Sequence, residues 1–288
     1  MDAALRNRLT FGPLMAATAL GLLYLDWKIG QWRNVHGVGL LAILLVSLPL
    51  GVRELAPLLA ARQVRPYRFI AAGGVVLLIL HAWATQFDTF TPYAAPTAVG
   101  IVVLTTVGTA LRIAFGRTTN LAIVSMAGTA LATLYVGAMG WFLMALRVSD
   151  GPLLVGSTVM VVFVLLTVKI TDVGAFATGK LFGRHKLIAW LSPGKTWEGL
   201  AGGLLTAALV GAAMSPLIDP LPWYAGAGFG AILGLVGQGG DLLESMLKRD
   251  AAVKDSGAGI PGFGGVLDVI DSPLLAAPVA YLLFLVIQ

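Results

Sequence analysis

Nine apolar stretches, each close in length to a membrane-spanning helix, dominate this 288-residue sequence. A helix needs about 20 mostly apolar residues to cross the hydrocarbon core of a bilayer. A window of that length places the stretches at 9–26, 37–60, 68–84, 95–115, 120–146, 152–170, 199–216, 223–239 and 272–288. The sequence therefore predicts an all-α, polytopic integral membrane protein with about nine transmembrane helices.

The composition agrees with lipid as the solvent for most of the chain. Hydrophobic residues make up 58% of the sequence and charged residues 11%, whereas soluble domains are about 45–50% apolar and about 25% charged. The core of a soluble domain cannot bury that excess of apolar residues. The net charge is +5, but no basic stripe is interleaved with aromatic residues, so nucleic acid is not an expected partner.

The basic residues predict which way the helices cross the membrane. Cytoplasmic loops of membrane proteins carry an excess of lysine and arginine. With nine spans and a cytoplasmic N-terminus, the outer side holds only Lys28, Arg33 and Arg147, and the other 16 of the 19 basic residues lie on the cytoplasmic side. A wrong number of spans would mix the two sides, so this distribution supports both the number and the orientation.

The acidic residues divide the chain into two regions. Residues 1–150 contain five predicted spans, and residues 151–288 contain four spans with two long cytoplasmic connections, 171–198 and 240–271. Eight of the 14 acidic residues lie in these connections: Asp172, Glu198, Asp241, Glu244, Asp250, Asp255, Asp268 and Asp271. Because loops on a rigid scaffold commonly carry chemistry, we expect the functional site in the C-terminal region.

Polar residues in the second connection recur at helical spacing. Asp241, Glu244, Ser245 and Lys248 occupy positions i, i+3, i+4 and i+7, so they share one face if 238–250 is helical. That face offers two carboxylates, a hydroxyl and an ammonium group. The alternative interpretation is a solvated helix face with an ordinary i, i+4 ion pair between Glu244 and Lys248.

A metal site with oxygen ligands accounts for acids placed next to apolar spans. Asp268 and Asp271 repeat the i, i+3 spacing before the last span, and carboxylates at the edge of hydrocarbon are costly unless paired or metal-bound. The chain has no cysteine and only three scattered histidines, which favours Mg²⁺ or a similar hard cation. Two segments that each present an aspartate can hold one or two such ions beside phosphate oxygens.

A glycine-rich stretch lies between these acids. Residues 257–262 read G-x-G-x-x-G, but no βαβ unit surrounds them and Pro261 obstructs the helix that should follow, so a dinucleotide-binding fold is rejected. A glycine loop flanked by lysines can instead bring backbone N–H groups close to phosphates. The alternative is a flexible turn between helices.

The first connection combines an acid with several cations. Asp172 ends one span. Pro193 at the start and either Thr196 or Ser192 as the cap predict a helix that enters the next span. Helix N-termini favour negative charge, so the position of Lys195 beside that helix start is explained if an anion binds there. Lys180 and Arg184 are explained equally well by anchoring on the cytoplasmic side.

These motifs resemble those of the phosphatidate cytidylyltransferase (CDP-diacylglycerol synthase) family. Its signature runs S-x-x-K-R-x-x-x-x-K-D, then a small-residue loop, then P-G-H-G-G-x-x-D-R-x-D. The chain keeps this spacing over 27 residues, through Ser245, Lys248-Arg249, Lys254-Asp255, Pro261-Gly262, Gly264-Gly265, Asp268 and Asp271. Upstream, residues 172–175 resemble D-T-G-A and residues 192–199 resemble S-P-K-K-T-W-E-G. The resemblance covers about 170–272.

Three positions depart from the family pattern. Phe263 stands where the family usually has histidine, Val269 where it has arginine, and Gly194 where it has the first lysine of its S-P-K-K motif. Phe263 cannot transfer a proton, so no acid or base role is assigned to that position.

The resemblance implies a nucleotidyltransferase of phospholipid biosynthesis in the inner cell membrane. Such an enzyme joins CTP and phosphatidic acid to give CDP-diacylglycerol and pyrophosphate at the cytoplasmic face. It uses Mg²⁺, as two divalent ions or one divalent and one monovalent ion, and a homodimer is compatible with the family. The implied metal ligands are Asp241 and Asp268, with Glu244 and Asp271 as secondary acids. The implied catalytic residues are Asp241, Asp268, Lys248 and Asp172. The implied substrate-binding residues are Lys195, Ser245, Arg249, Lys254, Gly264 and Gly265.

Three other functions are compatible with a polytopic chain. A CTP-dependent lipid kinase, acting on a polyprenol or phytol, would transfer a terminal phosphoryl group and release CDP. A transporter would carry ionisable residues in the middle of its spans and an inverted repeat, and the first five spans contain almost no such residues. A non-catalytic membrane scaffold would explain the three departures.

Overall fold

The structure is a computed structural model and describes residues 3–33, 35–117, 119–148, 157–218 and 221–286. The chain forms two compact units, each described by itself below. The first comprises Met1–Val148 and Asp250–Ile270, and the second comprises Ser149–Arg249 and Asp271–Gln288. The segment Asp250–Ile270 thus groups with the N-terminal helices, and the division at residue 150 stays a prediction.

The first unit is helical apart from its connections and the segment after Asp250. Its helices are α1 (Ala3–Arg33), α2 (Val38–Ala60), α3 (Arg68–Ala84), α4 (Ala94–Phe115), α5 (Ala122–Ala132) and α6 (Met139–Val148), with a 3₁₀ turn at Thr91–Tyr93. A π-helical segment, Thr133–Ala138, joins α5 to α6, so the two helices run on as one apolar rod, Ala122–Val148.

The second unit contains four helices and a hairpin. Its elements are α7 (Ser157–Phe182), β1 (Lys186–Ile188), β2 (Ser192–Thr196), α8 (Trp197–Met214), a 3₁₀ turn (Ser215–Leu217), α9 (Trp223–Asp250) and α10 (Leu267–Val286), whose first turn belongs to the first unit. The strands pair antiparallel, with Lys186 opposite Thr196 and Ile188 opposite Ser192. This short hairpin is the departure from the predicted all-α fold.

Every predicted span overlaps a helix of the described residues, and residues 152–156 and 287–288 of these spans lie outside them. Six helices in the described part of the chain are long and apolar enough to cross a membrane: Val38–Ala60, Thr91–Phe115, Ala122–Val148, Thr158–Phe182, Trp197–Leu217 and Leu267–Val286. They identify a multi-pass, helical membrane protein. The total of nine spans and the cytoplasmic N-terminus stay predictions.

The expected connection over 171–198 is wrong in its first part, because α7 continues to Phe182. Small residues let α7 and α8 approach closely enough to support this extension. A Cβ atom on Gly174 would lie 2.1 Å from the hydroxyl of Thr206, and one on Gly202 would lie 2.2 Å from that of Thr178. Asp172 therefore sits on a rigid helix rather than on a loop.

A buried ion pair joins α1 to α6 in the first unit. The Arg147 Nε atom lies 2.6 Å from Asp26 Oδ2, and the two side chains are 1% and 0% exposed. Removing one partner of a buried pair leaves an uncompensated charge, which is far more costly than losing a pair in water. The pair therefore fixes the position of α1 against the end of α6.

We expect Arg147→Ala to lower the free energy of unfolding by about 3–5 kcal/mol, measured by thermal or denaturant unfolding in detergent. Arg62→Ala is the matched control, because its 3.0 Å pair with Asp250 is 61% and 57% exposed and surface pairs are worth about 0–1 kcal/mol. Replacing both buried partners, in Asp26→Leu/Arg147→Met, should restore much of the loss. Equal losses for Arg147→Ala and Arg62→Ala would contradict this account.

The absence of cysteine makes the predicted orientation directly measurable. Asp88, in the turn after α3, and Trp190, in the hairpin, are both exposed and are predicted to lie on opposite sides of the membrane. A membrane-impermeant maleimide should label Asp88→Cys in intact cells and Trp190→Cys only after permeabilisation. Labelling of both variants, or of Trp190→Cys alone, in intact cells would refute the nine-span topology.

Candidate functional site

Three carboxylates converge in the second unit. Asp241 and Glu244 lie one turn apart on α9, and Asp271 lies near the start of α10. Each offers a carboxylate oxygen, and the three oxygens lie within 4.8 Å of one another. Asp241 is partly exposed, whereas Glu244 and Asp271 are buried. Like charges this close repel strongly when withdrawn from water, so the cluster needs compensating cations.

Lysines supply part of that compensation. Lys195 Nζ lies 2.6 Å from Asp241 Oδ2, and Lys248 Nζ lies 3.0 Å from Glu244 Oε2. Lys169, on α7, interacts electrostatically with both Asp172 and Asp271. With Asp172 counted, four carboxylates thus lie close to three lysine ammonium groups in the described part of the second unit.

The ion pair between Glu244 and Lys248 does form, as the alternative interpretation of this helix face expects. However, the two side chains are 1% and 11% exposed, so the face is not solvated. Buried charges with this arrangement indicate a site rather than an ordinary surface pair.

Asp172 is connected to the cluster through an amide. Gln238 Nε2 donates to Asp172 Oδ1 over 2.7 Å, and Lys195 Nζ donates to Gln238 Oε1 over 2.8 Å. Lys195 also meets Asp241, so hydrogen bonds connect α7, β2 and α9. The sequence interpretation missed Gln238, although it lies one turn before Asp241 and extends the same polar face.

The hairpin holds Lys195 at the start of α8. The Thr196 hydroxyl accepts a hydrogen bond from the Gly199 N–H over 3.0 Å, which confirms the predicted helix cap. The Glu198 carboxylate accepts from the backbone N–H groups of Arg184 and His185 and lies 2.6 Å from His185 Nδ1. These contacts fix both ends of the hairpin and with them the lysine.

The three-carboxylate cluster fits a magnesium ion. Oxygens around an octahedral Mg²⁺ lie about 3 Å apart when adjacent and about 4 Å apart when opposite, because Mg²⁺–oxygen distances are about 2.0–2.1 Å. The three carboxylate oxygens all lie within 4.8 Å of one another, so the side chains would close in around one ion. The donor atoms are all carboxylate oxygens, which suits a hard cation.

Asp268 accepts hydrogen bonds from two residues of the first unit. Its Oδ2 atom accepts from the Ser256 N–H over 3.1 Å, the Ser256 hydroxyl over 2.8 Å and the Gly265 N–H over 2.6 Å. Asp268 thus closes the glycine-rich loop onto the start of α10. It lies outside the three-carboxylate cluster, although it is three residues before Asp271 on the same helix.

Two backbone amides of the glycine loop have partners in the loop or at the start of α10. Gly264 N–H donates to the carbonyl oxygen of Ile260 over 3.0 Å, and Gly265 N–H donates to Asp268. The φ angles of Gly262 and Gly264 are 83° and 97°, values that favour glycine. These positions therefore require glycine for the backbone path, whatever they contact in a complex.

The remaining predicted substrate residues lie around the end of α9. Ser245 follows Glu244 and is partly buried, and Arg249 and Lys254 are exposed. Lys254 belongs to the first unit and the other two to the second.

Two departures from the family pattern have clear surroundings. The Phe263 ring packs on α1, since a Cβ atom on Gly12 would lie 3.2 Å from its Cζ atom. Phe263 therefore has a packing role here. A Cβ atom on Gly194 would have open space around it, so β2 tolerates a side chain there. Val269 is partly buried in the first turn of α10, and nothing in its surroundings explains the departure.

Parts of this chain are similar to curated proteins. The phosphatidate cytidylyltransferase of Staphylococcus aureus (strain COL) is 42% identical over 126 residues, 43% of this chain and 48% of that protein. The phosphatidate cytidylyltransferase of Mycobacterium tuberculosis (strain CDC 1551 / Oshkosh) is 40% identical over 121 residues, 41% of this chain and 36% of that protein. The uncharacterized protein YnbB of Escherichia coli (strain K12) is 40% identical over 126 residues, 44% of this chain and 42% of that protein.

The chain spans less than half the length of each of these relatives. A family-level match extends much further. The sequence profile of the Cytidylyltransferase family matches residues 6–287. The chain is therefore a member of the Cytidylyltransferase family.

Proposed function

We propose that this protein is a Mg²⁺-dependent CTP:phosphatidate cytidylyltransferase that makes CDP-diacylglycerol and pyrophosphate. The observation that carries this proposal is the cluster of Asp241, Glu244 and Asp271, which lies beside three lysines. The chain also keeps the whole spacing of the family signature from S-x-x-K-R to D-x-x-D. Family membership and the names of two curated relatives support the reaction class.

The reaction needs charge compensation more than a strong base. An oxygen of the phosphatidic acid phosphate attacks the α-phosphorus of CTP, a new P–O bond forms, and the bond from the α-phosphorus to the β-phosphate oxygen breaks. The attacking monoester is already an anion near neutral pH, so no residue must remove a proton from it. The barriers are repulsion between two polyanions and the charge that develops on pyrophosphate. Bound Mg²⁺ would neutralise phosphate charge and orient the phosphates.

The acids and the lysines of the site have different roles in the proposed reaction. Asp241, Glu244 and Asp271 would hold the metal, and Asp172 fixes Gln238 and through it Lys195. Lys195 and Lys248 pair with Asp241 and Glu244 and would bind phosphate oxygens of the substrates.

Further roles rest on the motif and the neighbouring structure. Asp268 lies one turn before Asp271, and we retain it as a metal ligand that also closes the glycine loop. Ser245, Arg249 and Lys254 would bind the triphosphate or the lipid phosphate. Gly264 and Gly265 would contribute by letting the loop approach the substrate closely, because their amides already have partners.

The lipid substrate determines where in the membrane the reaction would take place. Acyl chains must stay in the bilayer, so a lateral opening between spans at headgroup depth, on the cytoplasmic side of the inner membrane, would admit phosphatidic acid. A homodimer is compatible with this arrangement. The Gly-rich pairing of α8 with α9 is internal, since a Cβ atom on Gly226 would lie 2.5 Å from the Gly211 carbonyl oxygen.

We expect Asp271→Asn to weaken divalent-cation binding by about tenfold or more, because losing even an outer-shell partner typically costs about 10–100-fold in metal affinity. Electron paramagnetic resonance with Mn²⁺, which reports free and bound ion, measures this in detergent. Asp88→Asn is the control, because Asp88 is exposed in the turn after α3 and should leave the affinity unchanged. Equal affinities for wild type and Asp271→Asn would refute the metal assignment.

The purified protein should convert labelled CTP and phosphatidic acid to CDP-diacylglycerol with stoichiometric pyrophosphate, and only when Mg²⁺ is present. Asp241→Asn and Asp268→Asn should each reduce turnover by about 100-fold or more, because charge stabilisation of the transition state is lost. Near-normal turnover of either variant would refute its assignment. Release of CDP in place of pyrophosphate would identify a lipid kinase instead.

A further inference from the structure

An acidic residue in an apolar helix reaches the glycine-rich loop. Glu54 lies in the last third of α2, and its Oε2 atom accepts a hydrogen bond from the Leu267 N–H over 2.8 Å. The Ser256 hydroxyl lies 3.5 Å from the same oxygen. All three residues belong to the first unit. The contact thus spans 213 residues of sequence, and no sequence motif points to it.

The loop is shaped around this carboxylate. A Cβ atom on Gly265 would lie 2.4 Å from Glu54 Oε2, and one on Gly257 would lie 2.8 Å from Glu54 Oε1. Real side chains do not approach this closely, so any larger residue at either position would displace Glu54. Two glycines of the family-like loop therefore leave the space that Glu54 fills.

Glu54 and Asp268 act together at the start of α10. Glu54 accepts from the first helical amide, Leu267 N–H, and Asp268 accepts from Gly265 N–H, just before the helix. Ser256 donates to Asp268 over 2.8 Å and lies beside Glu54. Helix N-termini expose unsatisfied N–H groups and favour negative charge. Glu54 is thus a cap supplied from another helix.

A carboxylate near the end of an apolar helix is costly to retain without a purpose. The α10 N-terminus carries Asp268 and, one turn later, Asp271, which belong to the proposed metal site. Fixing the first turn of α10 fixes the direction in which Asp268 leaves the helix. The contacts of Glu54 are with the loop and with the helix start.

We propose that Glu54 is a positioning residue for the proposed cytidylyltransferase reaction, anchoring the glycine loop and the first turn of α10. This inference rests on the proposed function. It assigns a defined role to a helix of the N-terminal region, which the sequence interpretation treated only as a membrane span.

The test compares Glu54→Ala, Glu54→Gln and wild type in the CTP and phosphatidic acid assay. We expect Glu54→Ala to lower kcat by about 10–100-fold, as for other residues that orient ligands, with the KM for CTP changed less than about threefold. Glu54→Gln keeps an oxygen that can accept from Leu267 N–H, so it should retain more activity than Glu54→Ala. Asp88→Asn, the same carboxylate-to-amide change in an exposed turn, should match wild type.

Hydrogen–deuterium exchange gives a readout that does not depend on activity. Backbone amides in 256–268 should exchange faster in Glu54→Ala than in wild type, with Glu54→Gln between them, while the amides of α3 stay unchanged. This comparison remains decisive if the protein proves to catalyse a different reaction. If Glu54→Ala fails to fold, Glu54→Gln alone still has to show faster exchange at 256–268.

Two results would overturn the positioning role. One is unchanged exchange at 256–268 together with a kcat within about twofold of wild type. The other is a large loss of activity with unchanged exchange and a raised KM for CTP, since Glu54 would then contact substrate itself.

Discussion

The charges of the candidate site are arranged around the crowding of Asp241, Glu244 and Asp271 in the second unit. Three carboxylate oxygens within 4.8 Å of one another are unfavourable in a low-dielectric setting unless positive charge lies among them. Lys195 and Lys248 supply some, and a divalent cation would supply the rest. Polyanionic substrates need the same compensation, which is why a site built this way suits phosphate chemistry.

Close helix packing holds these charges in place. Small residues bring α7 against α8 and α8 against α9, so the backbones that carry Asp172, Lys195 and Asp241 cannot drift apart. Within the first unit, Glu54 and Asp268 hold the loop that leads into α10. Rigid helices therefore position most of the polar groups, and a hairpin with capped ends positions Lys195.

Hydrophobic length and residue spacing made much of this predictable. Spans of about 20 apolar residues locate helices well, and the i, i+3 spacing placed Asp241 and Glu244 on one face of α9. Contacts between distant segments were not predictable: Gln238 and Glu54 each act on residues far away in the sequence. The extension of α7 past Asp172 was also missed, because polarity marks the end of lipid contact and not the end of a helix. Asp268 was expected among the metal acids, but its hydrogen bonds lie in the glycine loop.

We propose that Asp241, Glu244 and Asp271 jointly bind a divalent cation. Anomalous diffraction from crystals grown with Mn²⁺ and a non-hydrolysable CTP analogue would locate that ion. We expect an anomalous peak about 2.0–2.3 Å from oxygens of all three carboxylates. Fully occupied Mn²⁺ at a different position, with these three side chains bound only to lysines and water, would contradict it.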